Sequence, residues 1–310
     1  MTANAAIPVV AVGICGSDVQ RYRNGFAVSS LGHELVGRRP TDGVLVAIRP
    51  LSPCRLCSVC RRGWTEQCAD DTGIGRRDNG EGGFSGRVRV RADQLYPLPA
   101  HLPTTVATLA DPLACLIHAL RGAGLRDAEV LVIGDGPMAA IACVYAHRRG
   151  ARHVTVAVKE PDRIERFSDF GDRVVTAEDL LADHYDVVVE SVGGASSEPI
   201  LTAATAVAPL GQIVALGVYR PDATADLPVR GLLEKESTLR GSKAYRVSDS
   251  HDDFATALAL LTSAPDAFAS IITSTPTWSA DDPQPSVFER RHVLKTVYMN
   301  EPHATADARN

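Results

Sequence analysis

From residue 128 onward, short β-branched apolar runs alternate with amphipathic stretches, the pattern of repeated strand and helix units around a parallel sheet. Residues 128–133 (AEVLVI), 154–158 (VTVAV), 172–175 (DRVV), 186–190 (DVVVE) and 212–217 (QIVALG) predict its buried strands. After the first run come Gly134 and Gly136, then Pro137 in the first turn of a predicted helix. That helix ends before Gly150, with His147, Arg148 and Arg149 in its last turn. The first hundred residues read differently. Glycine and proline are frequent, helical periods are few, and the alternation over 84–91 (FSGRVRVR) suits half-buried antiparallel strands. Near the far end, residues 254–261 carry one helical period and 294–299 (LKTVYM) a strand, while 301–310 read as a disordered tail. The expected organisation is a β-rich domain over 1–116, a doubly wound α/β domain over 117–242, and a return to the first domain over 243–310.

Composition narrows the possibilities. A chain of 310 residues with 45% hydrophobic and 22% charged residues is an ordinary globular protein, neither disordered nor fibrous. With 37 acidic against 32 basic residues the net charge is -5, so no global positive field exists to neutralise a nucleic-acid backbone. The apolar run 5–14 is too short to cross a bilayer and lacks a basic leading region. A cytoplasmic protein acting on a small molecule, with no nucleic-acid or membrane partner, is expected.

Seven cysteines cannot all pair within one chain, and four are bunched. Cys54, Cys57, Cys60 and Cys68 are spaced C-x2-C-x2-C-x7-C, which lets four thiolates wrap one tetrahedral zinc. The competing iron-sulfur run continues with three residues and Cys-Pro, whereas here seven residues intervene and Ala69 follows. A closed shell of four thiolates leaves no place for substrate, so this cluster is expected to staple a loop. Outside it, Cys15 in GICGSD, His33 in LGHE and Asp111 in ADPLAC supply a thiolate, an imidazole and a carboxylate, all competent ligands of a zinc that keeps one position open. Singly, each also suits a core thiol, a satisfied buried histidine or a helix cap. Gly134, Gly136 and Ala139 form G-x-G-x-x-A between a predicted strand and helix, the context in which a helix amino end receives a pyrophosphate.

The order GICGSD, LGHE, the four-cysteine lobe, GGF at 82–84, ADPLAC, VIGDGPMA and LKTVYM resembles the zinc-dependent medium-chain dehydrogenases, particularly their sorbitol, threonine and polyol branch. The resemblance implies a GroES-like β-rich catalytic domain joined to a Rossmann domain. It implies that Cys15, His33 and Glu34 hold a catalytic zinc, with Asp111 at the place of an exchangeable carboxylate. Ser17 is the implied proton-passing hydroxyl, and Asp18 the carboxylate that orients His33. Cofactor contacts are implied at Gly134, Gly136, Pro137, Met138, Ala139, Val158, Lys159 and Arg163. Where NAD enzymes place an acid at the end of the second strand, this chain has Val158, then Lys159, Glu160 and Arg163, which leans the expectation toward NADP(H) over NAD(H). The implied reaction is interconversion of a secondary alcohol, such as a polyol, sugar alcohol or cyclitol, and its ketone, in a homodimer or homotetramer.

Two departures accompany the resemblance. Only twelve residues precede Gly13, fewer than the family carries, and residues 37–43 replace a longer pair of strands. Either the pocket is open or a partner subunit closes it, and a catalytically weak member that binds zinc and nucleotide as a partner subunit is the alternative reading. Tyr22, Arg23 and Tyr245 either line a cleft or pack; His118, Trp64 and Trp278 are read as structural.

Overall fold

The computed structural model describes residues 5–77, 80–279, 288 and 294–300. The chain divides into two units, residues 1–114 with 246–310 and residues 115–245. The first unit opens with β1 (Ala5–Gly13), β2 (Glu34–Arg38), β3 (Leu45–Ile48), β4 (Arg87–Val90) and β5 (Leu95–Pro97). The apolar run at the start of the chain is a central strand, because β1 pairs with β4 through residues 5–8 and with β2 through residues 9–13. The link over 37–43 is a hairpin turn from β2 to β3, closed by Arg39 N donating to Val44 O at 2.9 Å and by an Arg39–Asp42 ion pair. The predicted strand over 84–91 is shorter in the structure, since Gly83–Ser85 form a single 3-10 turn before β4 begins.

The second unit is a six-stranded sheet of β6 (Glu129–Ile133), β7 (His153–Val158), β8 (Arg173–Thr176), β9 (Tyr185–Glu190), β10 (Val207–Ala215) and β11 (Thr238–Gly241), in the order β11-β10-β9-β6-β7-β8. All its pairings are parallel. This is the doubly wound fold expected, with its strand order reversing between β6 and β9. Val130–Val132 and Val187–Val189 are buried on both faces, which is why these strands read as continuous apolar runs. Strand β10 begins five residues before the predicted run: Leu210 takes φ of 63° and the register to β9 shifts between Val207 and Gln212. A bulge carries no alternation, so the pattern hid the strand's first half.

The chain then returns to the first unit with β12 (Val247–Ser248), β13 (His251–Asp252), β14 (Ile272–Ser274), β15 (Thr277–Trp278) and β16 (Lys295–Asn300). The predicted helix over 254–261 is Asp253–Ser263, capped by the Asp252 carboxylate accepting from Ala255 N at 2.8 Å. Strand β16 lies antiparallel against β1. The core between these strands gathers Val12, Leu35, Ile48 and Val88 around Phe84, whose ring meets Trp278 edge-on at 5.2 Å. The predicted tail over 301–310 lies outside the described residues. Among the described residues no helix is long and apolar enough to cross a membrane.

Candidate active site

Strand register assembles one cluster of ligand-type side chains. Gly13 on β1 lies opposite Glu34 on β2 and opposite Val297 on β16. In antiparallel pairing, two residues further along β1 meet two residues back along each neighbour, so Cys15, the His33 segment and Lys295 arrive at one level. Gly32 takes φ of 87°, and a Cβ there would stand 2.7 Å from Val12 Cγ1, so only glycine lets the His33 segment approach β1 this closely. One ligand atom each from Cys15, His33 and Glu34 lie within 4.8 Å of one another. Asp111, in the first turn of helix Ala110–Ala119, stands at the margin, with its Oδ2 4.0 Å from His33 Nε2.

Asp18 organises this cluster from behind. It is fully buried; Oδ2 accepts from Cys15 N at 3.1 Å, while Oδ1 accepts from Gly32 N at 3.1 Å and lies 3.1 Å from His33 Nδ1. Engaging Nδ1 leaves Nε2 to face the cluster. Burial pushes the Asp18 carboxyl up, but His33 and the two N–H donors outweigh it and hold it below its ordinary value. Burial likewise favours neutral His33, yet the Asp18 carboxylate holds the imidazolium well above its usual range. Ser17, in the first turn of helix Gly16–Arg23, accepts from Arg21 Nη1 at 3.2 Å, a bond that leaves its own proton available to donate.

Lys295 was absent from the sequence candidates. Its ammonium is buried, ion-paired with Glu34 and donating to Ile14 O at 2.8 Å. Burial raises the Glu34 carboxyl and Lys295 opposes that rise. The available signal was a single lysine in the otherwise apolar strand LKTVYM, a placement that a fold tolerates only when the charge is paired. Of the proposed cleft residues, Tyr22 stacks on Phe288 at 4.8 Å, Tyr245 is buried, and Arg23 is exposed. Trp64 is half-exposed, with the Arg62 guanidinium 4.5 Å over its ring.

The second cluster is local. Cys54, Cys57, Cys60 and Cys68 also bring their sulfurs within 4.8 Å of one another. Backbone N–H groups of Leu56 and Cys57 point at Cys54 Sγ from 3.5 and 3.4 Å and pull that thiol down to about 7, whereas burial pushes Cys60 up to about 12. The lobe is tied to the rest of its unit by Glu66, which accepts two bonds from Arg246, and by Thr65 Oγ1, which donates to Val247 O at 2.9 Å.

In the second unit the glycine turn follows β6. Gly134 N donates to Ala157 O at 2.9 Å, and φ of 136° with a would-be Cβ 2.5 Å from Ser191 Oγ makes glycine obligatory. Gly136 caps helix Pro137–Arg148, and a Cβ there would meet nothing within 4 Å. The helix amino end is therefore open and lined by free N–H groups, as a phosphate needs. Ala139 is fully buried, Met138 partly so. Val158 closes β7 as a buried side chain, whereas Lys159 is exposed and 3.8 Å from Glu160. Arg163 lies 3.8 Å from Asp162.

Residues 2–100 match the family model of the alcohol dehydrogenase GroES-like domain, and residues 137–263 that of the zinc-binding dehydrogenases. An L-idonate 5-dehydrogenase (NAD(P)(+)) of Escherichia coli strain K12 is 31% identical over 256 residues, 74% of each chain. The chain belongs to the zinc-dependent medium-chain dehydrogenases. Within that family of oxidoreductases it falls in the polyol branch. A D-altritol 5-dehydrogenase of Agrobacterium fabrum is 29% identical over 265 residues, 77% of this chain and 76% of the relative. The structure of an alcohol dehydrogenase from Thermus sp. ATN1 matches with a TM-score of 0.81 at 27% identity, over 97% of this chain and 93% of that one.

Proposed function

We propose that this dehydrogenase interconverts a secondary alcohol of a polyol or sugar acid and its ketone, with a catalytic zinc held by Cys15, His33 and Glu34 and Asp111 as an exchangeable fourth ligand. The observation that carries this reading is the convergence of those three ligand atoms within 4.8 Å. A thiolate, an imidazole and a carboxylate are the donor set of a zinc that keeps a position for substrate. When bound, such a zinc supplies Lewis acidity that eases loss of the alcohol proton near neutral pH. Asp18 holds the His33 tautomer, Lys295 balances the buried Glu34 charge, and Ser17 passes the hydroxyl proton toward solvent. In the oxidative direction the carbinol hydroxyl gives up its proton, and an oxidised dinucleotide, when bound, would supply the acceptor for the hydride of the carbinol carbon.

The four-cysteine lobe takes a structural zinc, and the open amino end of helix Pro137–Arg148 takes the pyrophosphate. The first unit is thus the catalytic domain and the second the dinucleotide domain. Val158 offers no carboxylate to ribose hydroxyls, and Lys159 and Arg163 stand within the next few residues, which favours NADP(H). Strand β11 is an exposed sheet edge bearing Leu239 near exposed Val229 and Leu233, a surface suited to a homodimer or homotetramer.

The test joins metal analysis to a panel of polyols, sugar acids and cyclitols with both dinucleotides. Two zincs per chain and turnover of a panel member with NADP preferred are the expected results. Full zinc loading with no turnover of any member would instead support the partner-subunit reading.

A further inference from the structure

The carboxyl end of β9 carries an acid that the reaction above does not use. Glu190 is fully buried. Its Oε1 accepts from the backbone N–H groups of Val192 at 2.7 Å and Gly193 at 2.9 Å. Its Oε2 and the Tyr219 hydroxyl are both buried without a well-aligned hydrogen-bond partner. They face one another closely enough that the carboxylate adds to burial in raising the Tyr219 phenol. A strand end needs no acid, and burying one is unfavourable unless its oxygens hold something in place.

What Glu190 holds is the loop beside the glycine turn. Ser191 donates to Ile133 O through both its N–H, at 3.0 Å, and its Oγ, at 2.9 Å. A Cβ on Gly134 would stand 3.4 Å from Val192 Cγ2. Gly193 and Gly194 take φ of 64° and 88°, and a Cβ on Gly193 would stand 2.4 Å from Val218 N, so the loop is pinned against the segment after β10. On this fastened loop Val192 is 50% exposed, an apolar side chain displayed next to the open helix end.

We infer that Glu190 is a positioning residue for dinucleotide binding, whose Oε1 fixes Val192 and Gly193 so that residues 191–194 form one wall of the site above the Gly134 turn. The inference rests on the dinucleotide reading proposed above. What matters is an acceptor at the place of Oε1. Glu190→Gln keeps that acceptor and offers an amide to the Tyr219 oxygen. Glu190→Asp keeps the charge but withdraws both oxygens by one methylene.

The experiment compares the zinc-loaded full chain with these two variants. Dissociation constants for NADP and NAD are measured by calorimetry, and amide hydrogen exchange over 191–194 is followed in the dinucleotide-free protein. The expected result is that Glu190→Gln binds within about threefold of the parent, while Glu190→Asp binds about tenfold or more weakly. In Glu190→Asp the amides of Val192 and Gly193 exchange about tenfold faster, with β6 and β7 unchanged. Parent-like binding by Glu190→Asp, or equally weak binding by Glu190→Gln, overturns the inference. A parent protein that binds neither dinucleotide overturns the dinucleotide reading and this inference together, a result separable from parent-like Glu190→Asp, which overturns this inference alone.

Discussion

The two ligand clusters of the first unit show contrasting ways to gather the same kind of atoms. The four cysteines lie within fifteen residues of chain, Cys54 and Cys57 half-buried and Cys60 and Cys68 buried, and their own loop tunes them, through N–H groups at Cys54 and through burial at Cys60. Cys15 follows the end of β1 while His33 and Glu34 stand at the start of β2, and buried partners from elsewhere hold them: Asp18 behind Cys15 and His33, and Lys295 beside Glu34. A local cluster needs only its loop. A convergent cluster needs the whole sheet in register, and in return its ligands carry fixed tautomers and balanced charge.

The sharpest way to break that contrast is Cys15→Ser. Turnover should fall on the order of 10³-fold or more, because several kcal/mol of charge stabilisation go with the metal. Bound zinc should drop by one per chain with the circular dichroism unchanged, and a variant that keeps both zincs and its activity would exclude Cys15 as a ligand. Next comes Lys295→Met, which removes the ammonium ion-paired with buried Glu34 and leaves the neighbouring His33 to offset its charge. Urea unfolding of the chelated protein should show a loss of about 3–5 kcal/mol. Added zinc should recover part of it, and an equal loss with and without zinc would mean that Lys295 does not serve the cluster.

Cys57→Ser probes the local cluster. A loss of about 3 kcal/mol would lower the melting temperature by about 6–12 °C. The remaining folded protein should keep its turnover number, and loss of turnover in parallel with zinc would erase the distinction between the two clusters. The smallest effect belongs to Asp93, at the root of the lobe. Burial raises its carboxyl, but Arg91, Arg49 and Arg55 outweigh burial and hold it below its ordinary value. Its contribution is therefore present above the ordinary carboxylate range and is lost as pH falls through the depressed value. Asp93→Asn leaves buried Arg49 without its anion, which should cost about 2 kcal/mol at neutral pH. Melting curves of parent and variant should converge on acidification, and a gap that persists at low pH would exclude the charge as its source.

How much of this was legible follows the same division. The C-x2-C-x2-C-x7-C spacing is a property of one segment, so the sulfurs could be grouped before any fold was known. The glycine turn was legible for a related reason, since strand, glycines and helix are contiguous. Lys295 and Glu190 were not, because an ion pair between distant strands, or a carboxyl folded back onto its own loop, leaves no period in the chain. Helix Gly16–Arg23 was missed because its polar sequence lacks an apolar stripe; it is fixed by the reciprocal bond between Cys15 N and Asp18. The resemblance supplied Asp18, and only the register of β1, β2 and β16 explains why it sits where it does.

The pairing of β16 with β1 has a consequence for biosynthesis. Lys295 reaches Ile14 across 281 positions of chain. At translation rates of about 5–20 residues per second, a nascent polypeptide holds Cys15, His33 and Glu34 for on the order of 15–60 s before their counter-charge leaves the ribosome. During that interval Glu34 has His33 beside it but not the Lys295 ammonium, and a metal ion held by Cys15, His33 and Glu34 would supply the missing charge, so metal supply during translation should favour the yield of folded enzyme more than the same metal added afterwards.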